Sequence, residues 1–214
     1  MKRALSLFSF LIYELDLDFM FRQSLLAGII IGLGGIGLLY LDGIVSICAL
    51  VLCFICLVYS DGILYTGAMM KLGKEITWFD FIKILVGNVL GVYIVSLLSR
   101  WSGIDIKIPQ SILTSHLSIP LGKVFTRGLL CGVVFGISVS LHKTWIKVVP
   151  IIFAAVFLIS SLQFHSILEL SCIFVSRMIS WKIVLFWFLI ALGNFIGYFL
   201  GSLFIPDKKR ENSY

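Results

Sequence analysis

Apolar residues run along this chain in long stretches that are interrupted by short polar clusters, with no alternation between the two. Charge-poor runs cover Gln23 to Leu41, Gly43 to Ser60, Ile84 to Ser99, Gly128 to Leu141, Val148 to Phe164 and Ile183 to Ile205. A helix needs on the order of 20 mainly apolar residues to cross the hydrocarbon core of a bilayer, and each run is long enough to cross or nearly cross. The pattern predicts an all-α membrane protein with six transmembrane helices. Ahead of the first span, Phe8, Leu11, Ile12, Leu15 and Phe19 recur at helical spacing. They predict an amphipathic helix on the membrane face within residues 1–22. The opening Met1-Lys2-Arg3 looks like a signal peptide, yet Glu14, Asp16 and Asp18 stand where a small-residue cleavage site belongs, so the segment reads as retained. The transmembrane domain then takes residues 23–205, and 206–214 form a tail.

Two segments depart from the pattern. After the second span, Asp61-Gly62-Ile63-Leu64-Tyr65-Thr66-Gly67-Ala68-Met69-Met70 is partly apolar but carries an acid and two glycines. After the fifth, Gln163-Phe164-His165-Ser166 interrupts an apolar run that resumes through Ile167 and Leu170 to Val175. Backbone leaves the helix at membrane depth only where it is buried in protein or lines a wet cavity. Two broken helices therefore predict a pore.

Composition agrees with a bilayer as solvent. The chain is 60% hydrophobic and 13% charged, with a mean hydropathy of +1.09, which is too apolar for a soluble domain. Its net charge of +6 does not indicate nucleic acid, because the basic residues are scattered between apolar segments and form no patch. They read as topology signals. Lys2, Arg3, Arg22, Lys71, Lys74, Lys83, Lys143, Lys147, Lys208, Lys209 and Arg210 fall on one side and Arg100, Lys107, Lys123, Arg127, Arg177 and Lys182 on the other. That bias predicts both termini in the cytoplasm. All five cysteines, Cys48, Cys53, Cys56, Cys131 and Cys172, lie in apolar stretches and describe neither a disulfide framework nor a zinc site.

The chain repeats itself. Gly87-Asn88-Val89-Leu90-Gly91 in the third span matches Gly193-Asn194-Phe195-Ile196-Gly197 in the sixth, and Ser96-Leu97 and Ser202-Leu203 follow at equal distance. Phe21, Leu25, Leu26, Gly28 and Gly32 align with Phe125, Leu129, Leu130, Gly132 and Gly136, and the breaks align Tyr65-Thr66 with His165-Ser166. Glycines at such spacing also serve plain helix packing, but packing alone does not make helix, break and Gly-Asn signature recur together. Three spans per half place the halves in opposite orientations, a 3+3 inverted repeat with its site at the midplane.

These residues resemble the formate/nitrite transporter family. Leu64-Tyr65-Thr66 is similar to that family's Leu-Phe-Thr loop, and Ile76-Thr77-Trp78 leads into Gly87-Asn88-x-x-Gly91 as it does there. Phe125-Thr126-Arg127-Gly128-Leu129-Leu130-Cys131 resembles the family's Phe-x-Arg-Gly-Ile-Leu-Cys, and Phe164-His165-Ser166-Ile167 falls on its Glu-His-Ser motif. The likeness covers roughly Phe21 to Phe204. It implies an aquaporin-like fold, a homopentamer in the inner membrane, and small anion substrates, with no cofactor and no metal. It also implies that His165 is the central pore histidine, that Thr66 faces it, and that Leu64 and Tyr65 form an apolar constriction. Gly132 replaces the family's asparagine, His116 falls on its lysine, Phe164 on its glutamate, and Glu169 on a downstream asparagine.

The chemistry follows from the residue types. An ionisable group at membrane depth is a functional candidate, and an imidazole titrates near neutral pH. A proton from histidine or water lets the conjugate base of a weak acid cross apolar constrictions as a neutral species. On a continuing helix Glu169 would share a face with His165 and could pair with it, which leaves its role open, Asp61 would cap the half-helix that follows it, and His116, in the place of the family's lysine, would draw anions in when charged. An aquaporin-type solute channel lacks its Asn-Pro-Ala loops here. A membrane metallohydrolase would have only His165, Glu169 and Asp61 to use. The alternative is a neutral small-solute channel or a non-conducting membrane scaffold or sensor of the same fold.

Overall fold

The computed structural model describes residues 18–73, 75–141, 148–161 and 163–203. The expected helix on the membrane face lies almost entirely outside the described residues, as does the tail. Nine α-helices are described: α1 (Phe19–Tyr40), α2 (Gly43–Tyr59), the short α3 (Tyr65–Ala68), α4 (Trp78–Trp101), α5 (Lys107–Leu117), α6 (Leu121–Leu141), α7 (Val149–Ser160), α8 (Ser166–Ser176) and α9 (Trp181–Leu203). A 3₁₀ turn, Met69–Lys71, continues α3.

Four of these, α1, α4, α6 and α9, are long and apolar enough to cross a membrane, while α2, α7 and α8 are shorter apolar helices. Polar caps set where they begin. Asp18 accepts the Met20 amide at the start of α1, and at α4 Thr77 and Asp80 cap each other's backbone amides reciprocally. A Lys83 side chain reaches Asp18 at 2.6 Å, joining the two helix starts. Hydrogen bonding from Lys83 holds the Asp18 carboxyl below the usual carboxylate range.

The two most extensive helix interfaces are α6 with α9 and α1 with α4, and glycine makes both. A Cβ on Gly91 would lie 2.4 Å from the Leu25 carbonyl oxygen, and one on Gly197 would lie 2.0 Å from that of Leu129. Gly28 and Gly132 meet the carbonyls of Asn88 and Asn194 in the same way, each at 2.3 Å. These are the positions the repeat aligned. Backbone therefore approaches backbone at matching points in the two pairs, as small residues allow in membrane helices. At Gly132 an added Cβ would also lie 2.8 Å from the Tyr198 amide nitrogen, so no side chain fits there.

Candidate functional site

Between the long helices sit the two breaks, and each is held by one asparagine. The Tyr65 amide donates to Asn88 Oδ1 at 2.8 Å, while Asn88 Nδ2 donates to the carbonyls of Ser24 at 2.8 Å and Ile63 at 2.9 Å. Across the repeat, the Ser166 amide donates to Asn194 Oδ1 at 2.8 Å, and Asn194 Nδ2 donates to the carbonyls of Gly128 at 2.8 Å and Phe164 at 2.9 Å. Both asparagines are fully buried or nearly so. A broken helix leaves backbone groups that lipid cannot satisfy, and one primary amide supplies an acceptor and two donors. The Gly-Asn signature thus marks the clasps of the breaks.

The clasps also fix the register between the halves. Tyr65 is equivalent to Ser166, and Leu64 to His165, one residue off the alignment of Tyr65 with His165 expected from sequence. That alignment followed the polar residues; the backbone bonds follow the helix starts. Tyr65 carries the link between breaks, because its hydroxyl is hydrogen-bonded to Ser166 Oγ. Thr66 is buried beside it, and no described contact joins Thr66 to His165. The Trp187 indole donates to the Ser166 carbonyl at 2.9 Å, adding a third hold on the start of α8.

His165 is the residue just before α8, 2% exposed, with the rings of Phe54 and Phe135 at 6.3 and 5.1 Å. Neither ring nitrogen has a hydrogen-bond partner among the described residues. Buried polar atoms are nearly always paired, so two bare nitrogens on one imidazole indicate a place for a solute or water. A cavity of about 520 Å³ reaches it, lined also by Phe164, Glu169, His116, Arg127 and Gln163. Of the residues singled out from sequence, His116, Phe164, His165 and Glu169 line this cavity. Leu64, Tyr65, Thr66 and Ser166 do not, and Gly87, Asn88, Gly193 and Asn194 lie behind it in the helix interfaces.

Two expected interactions are not formed. Glu169 does not pair with His165, because α8 begins only after His165 and turns the carboxylate toward α5. There Glu169 Oε2 lies 3.2 Å from His116 Nδ1. Asp61 caps nothing on α3, whose N-cap is Leu64 with no side-chain bond. Asp61 is exposed in the left-handed region at φ 53°, and Asn88 does the capping from another helix. Sequence reasoning also passed over Arg127 as a site residue. Its guanidinium stands 5.4 Å from the centre of the Phe164 ring, and the Phe164 and His116 ring centres lie 4.9 Å apart. The signal for Asn88 and Asn194 was available, since a carboxamide in an apolar helix must find partners. For Arg127 none was, because a cation one turn inside a span reads equally well as a topology marker.

The cavity thus holds one fixed cation, Arg127, one carboxylate, Glu169, and two imidazoles, His116 and His165. Among the described residues, no three His, Cys, Asp or Glu side chains come together as metal ligands. The Glu169 carboxylate would repel any anion that entered this cavity, since like charge in a focused cleft is unfavourable.

No family model matches the chain, and no curated protein matches it. The four spanning helices and the all-helical architecture make it a membrane protein. Among solved structures it is similar to an FNT family ion channel, with a TM-score of 0.72 and 21% identity over 91% of this chain and 90% of that one. The fold is that of this channel, the family which the sequence motifs resemble.

Proposed function

We propose that the chain is a divergent member of the formate/nitrite transporter family and acts as a channel or transporter for small monovalent weak-acid anions. Formate, nitrite and hydrosulfide are the class that fits. The observation that carries this reading is the bare imidazole of His165 at the start of the half-helix α8, at the end of a cavity that also holds Arg127. Arg127 attracts the anion, and the amide end of α8 adds a favourable potential. His165 gives the solute a hydrogen bond or relays a proton, so that it passes Leu64, Tyr65, Thr66 and Phe164 without bare charge. Ser166 holds Tyr65 in place. On this reading the 3+3 inverted repeat forms one pore per subunit of a homopentamer in the inner membrane, with both termini cytoplasmic.

Glu169 supports a second reading, a neutral-solute channel or a non-conducting scaffold, because a carboxylate beside the pore opposes anions. One experiment separates the readings: pH-dependent flux of formate, nitrite and hydrosulfide into proteoliposomes. Flux that rises on external acidification and falls about tenfold or more in His165→Ala fits the weak-acid mechanism. Absence of flux for all three from folded protein would overturn it.

A further inference from the structure

A second cavity of about 460 Å³ opens between α4, α8 and the start of α9. Its walls are apolar and aromatic, Tyr93, Phe174, Ile183 and Trp187 among them, and Arg100 and Arg177 share its lining. Among the described residues, no acidic side chain does. Among the described residues neither arginine makes an ion pair, and the buried Arg100 Nε has no hydrogen-bond partner. Two guanidiniums without a counter-ion, beside a greasy slot at the surface of a membrane protein, match a ligand with an anionic head and an apolar tail.

Arg177 adds a second indication. It ends α8 at φ 58°, ψ 13°, in the left-handed conformation where glycine is the low-strain choice. An arginine standing at such a position, where glycine would be less strained, points to a use for its side chain. Nearby, Ile179 and Trp181 are 92% and 79% exposed, as suits residues at the level of lipid headgroups.

We infer that this groove is a binding site for an anionic phospholipid, its phosphate held by Arg100 and Arg177 and an acyl chain lying along Tyr93, Phe174 and Trp187. Guanidinium forks match phosphate oxygens in geometry as well as charge. The inference needs only a bilayer around the protein and is independent of what the pore conducts. One wall of the site, Trp187, is the residue that holds the Ser166 carbonyl, so the lipid would touch the support of the broken helix directly.

Native mass spectrometry of the delipidated full-length protein tests this with phosphatidylglycerol and phosphatidylcholine added in turn. Phosphatidylglycerol is expected to bind roughly tenfold or more tightly than phosphatidylcholine, and Arg100→Gln with Arg177→Gln is expected to erase the difference. Val184→Trp, which fills the groove and leaves both arginines in place, is expected to weaken retention of phosphatidylglycerol. Equal retention of the two lipids by the wild type would overturn the site, as would unchanged preference in the double variant. So would a wild type that retains neither lipid while the double variant changes its oligomeric state, because the groove would then belong to a second copy of the chain.

Discussion

Asn194→Ala is expected to lower the thermal midpoint of the detergent-solubilised protein by on the order of 10 °C, or to prevent recovery of folded protein altogether. The substitution orphans three backbone groups at once, the Ser166 amide and the carbonyls of Gly128 and Phe164. Each buried group left without a partner costs on the order of 1–3 kcal/mol, and neither lipid nor a neighbouring side chain replaces the lost amide. Asn88→Ala removes the equivalent three bonds in the other half and is expected to behave alike. Fluorescence-detected size exclusion after heating reads the midpoint. A variant as stable as the wild type would show that the breaks do not depend on these clasps.

Gly197→Ala is the second large effect, about 3 kcal/mol of destabilisation or more, from a single added methyl group. Its Cβ would stand 2.0 Å from the carbonyl oxygen of Leu129 and 2.9 Å from the Val133 amide nitrogen. Backbone cannot rotate away as a side chain can, so α6 and α9 would have to separate along their length. Gly122 provides the control, since nothing lies within 4 Å of a Cβ there. Gly122→Ala is expected to leave the midpoint unchanged or raise it slightly, alanine being the better helix former. Equal midpoints for the two variants would contradict the close approach of the helices.

The long helices were legible because a bilayer imposes length and apolarity on every span, and α1, α4, α6 and α9 fall where the charge-poor runs did. Gly-Asn could be read as a repeat, since Asn88 and Asn194 are unusual in such company. What each asparagine does was not legible, because its partners Ser24, Ile63, Gly128 and Phe164 lie far away in sequence. The same holds for His116 and Glu169, which meet across 53 residues, and for the pairing of Leu64 with His165. Similarity in sequence aligned polar residue with polar residue, whereas the chain aligned amide with amide. Arg127 was counted as a marker of orientation because distance to a cavity has no signature in a linear string.

The paired clasps bear on how anything could move through this molecule. Each half-helix start is bonded to an asparagine in a long helix, and that helix is locked to its neighbour by backbone contact with no slack for sliding. Rocking one half against the other would have to break the Tyr65 to Ser166 link between the breaks. On the proposed function, the described residues frame a passage with no hinge between the two breaks, which leaves movement of a solute to rotations of side chains such as Phe164 and Leu64, which are fast. If the chain conducts as proposed, the kinetics are expected to be those of a fixed aperture, with weak temperature dependence and no counterflow exchange, and not those of a carrier that turns over.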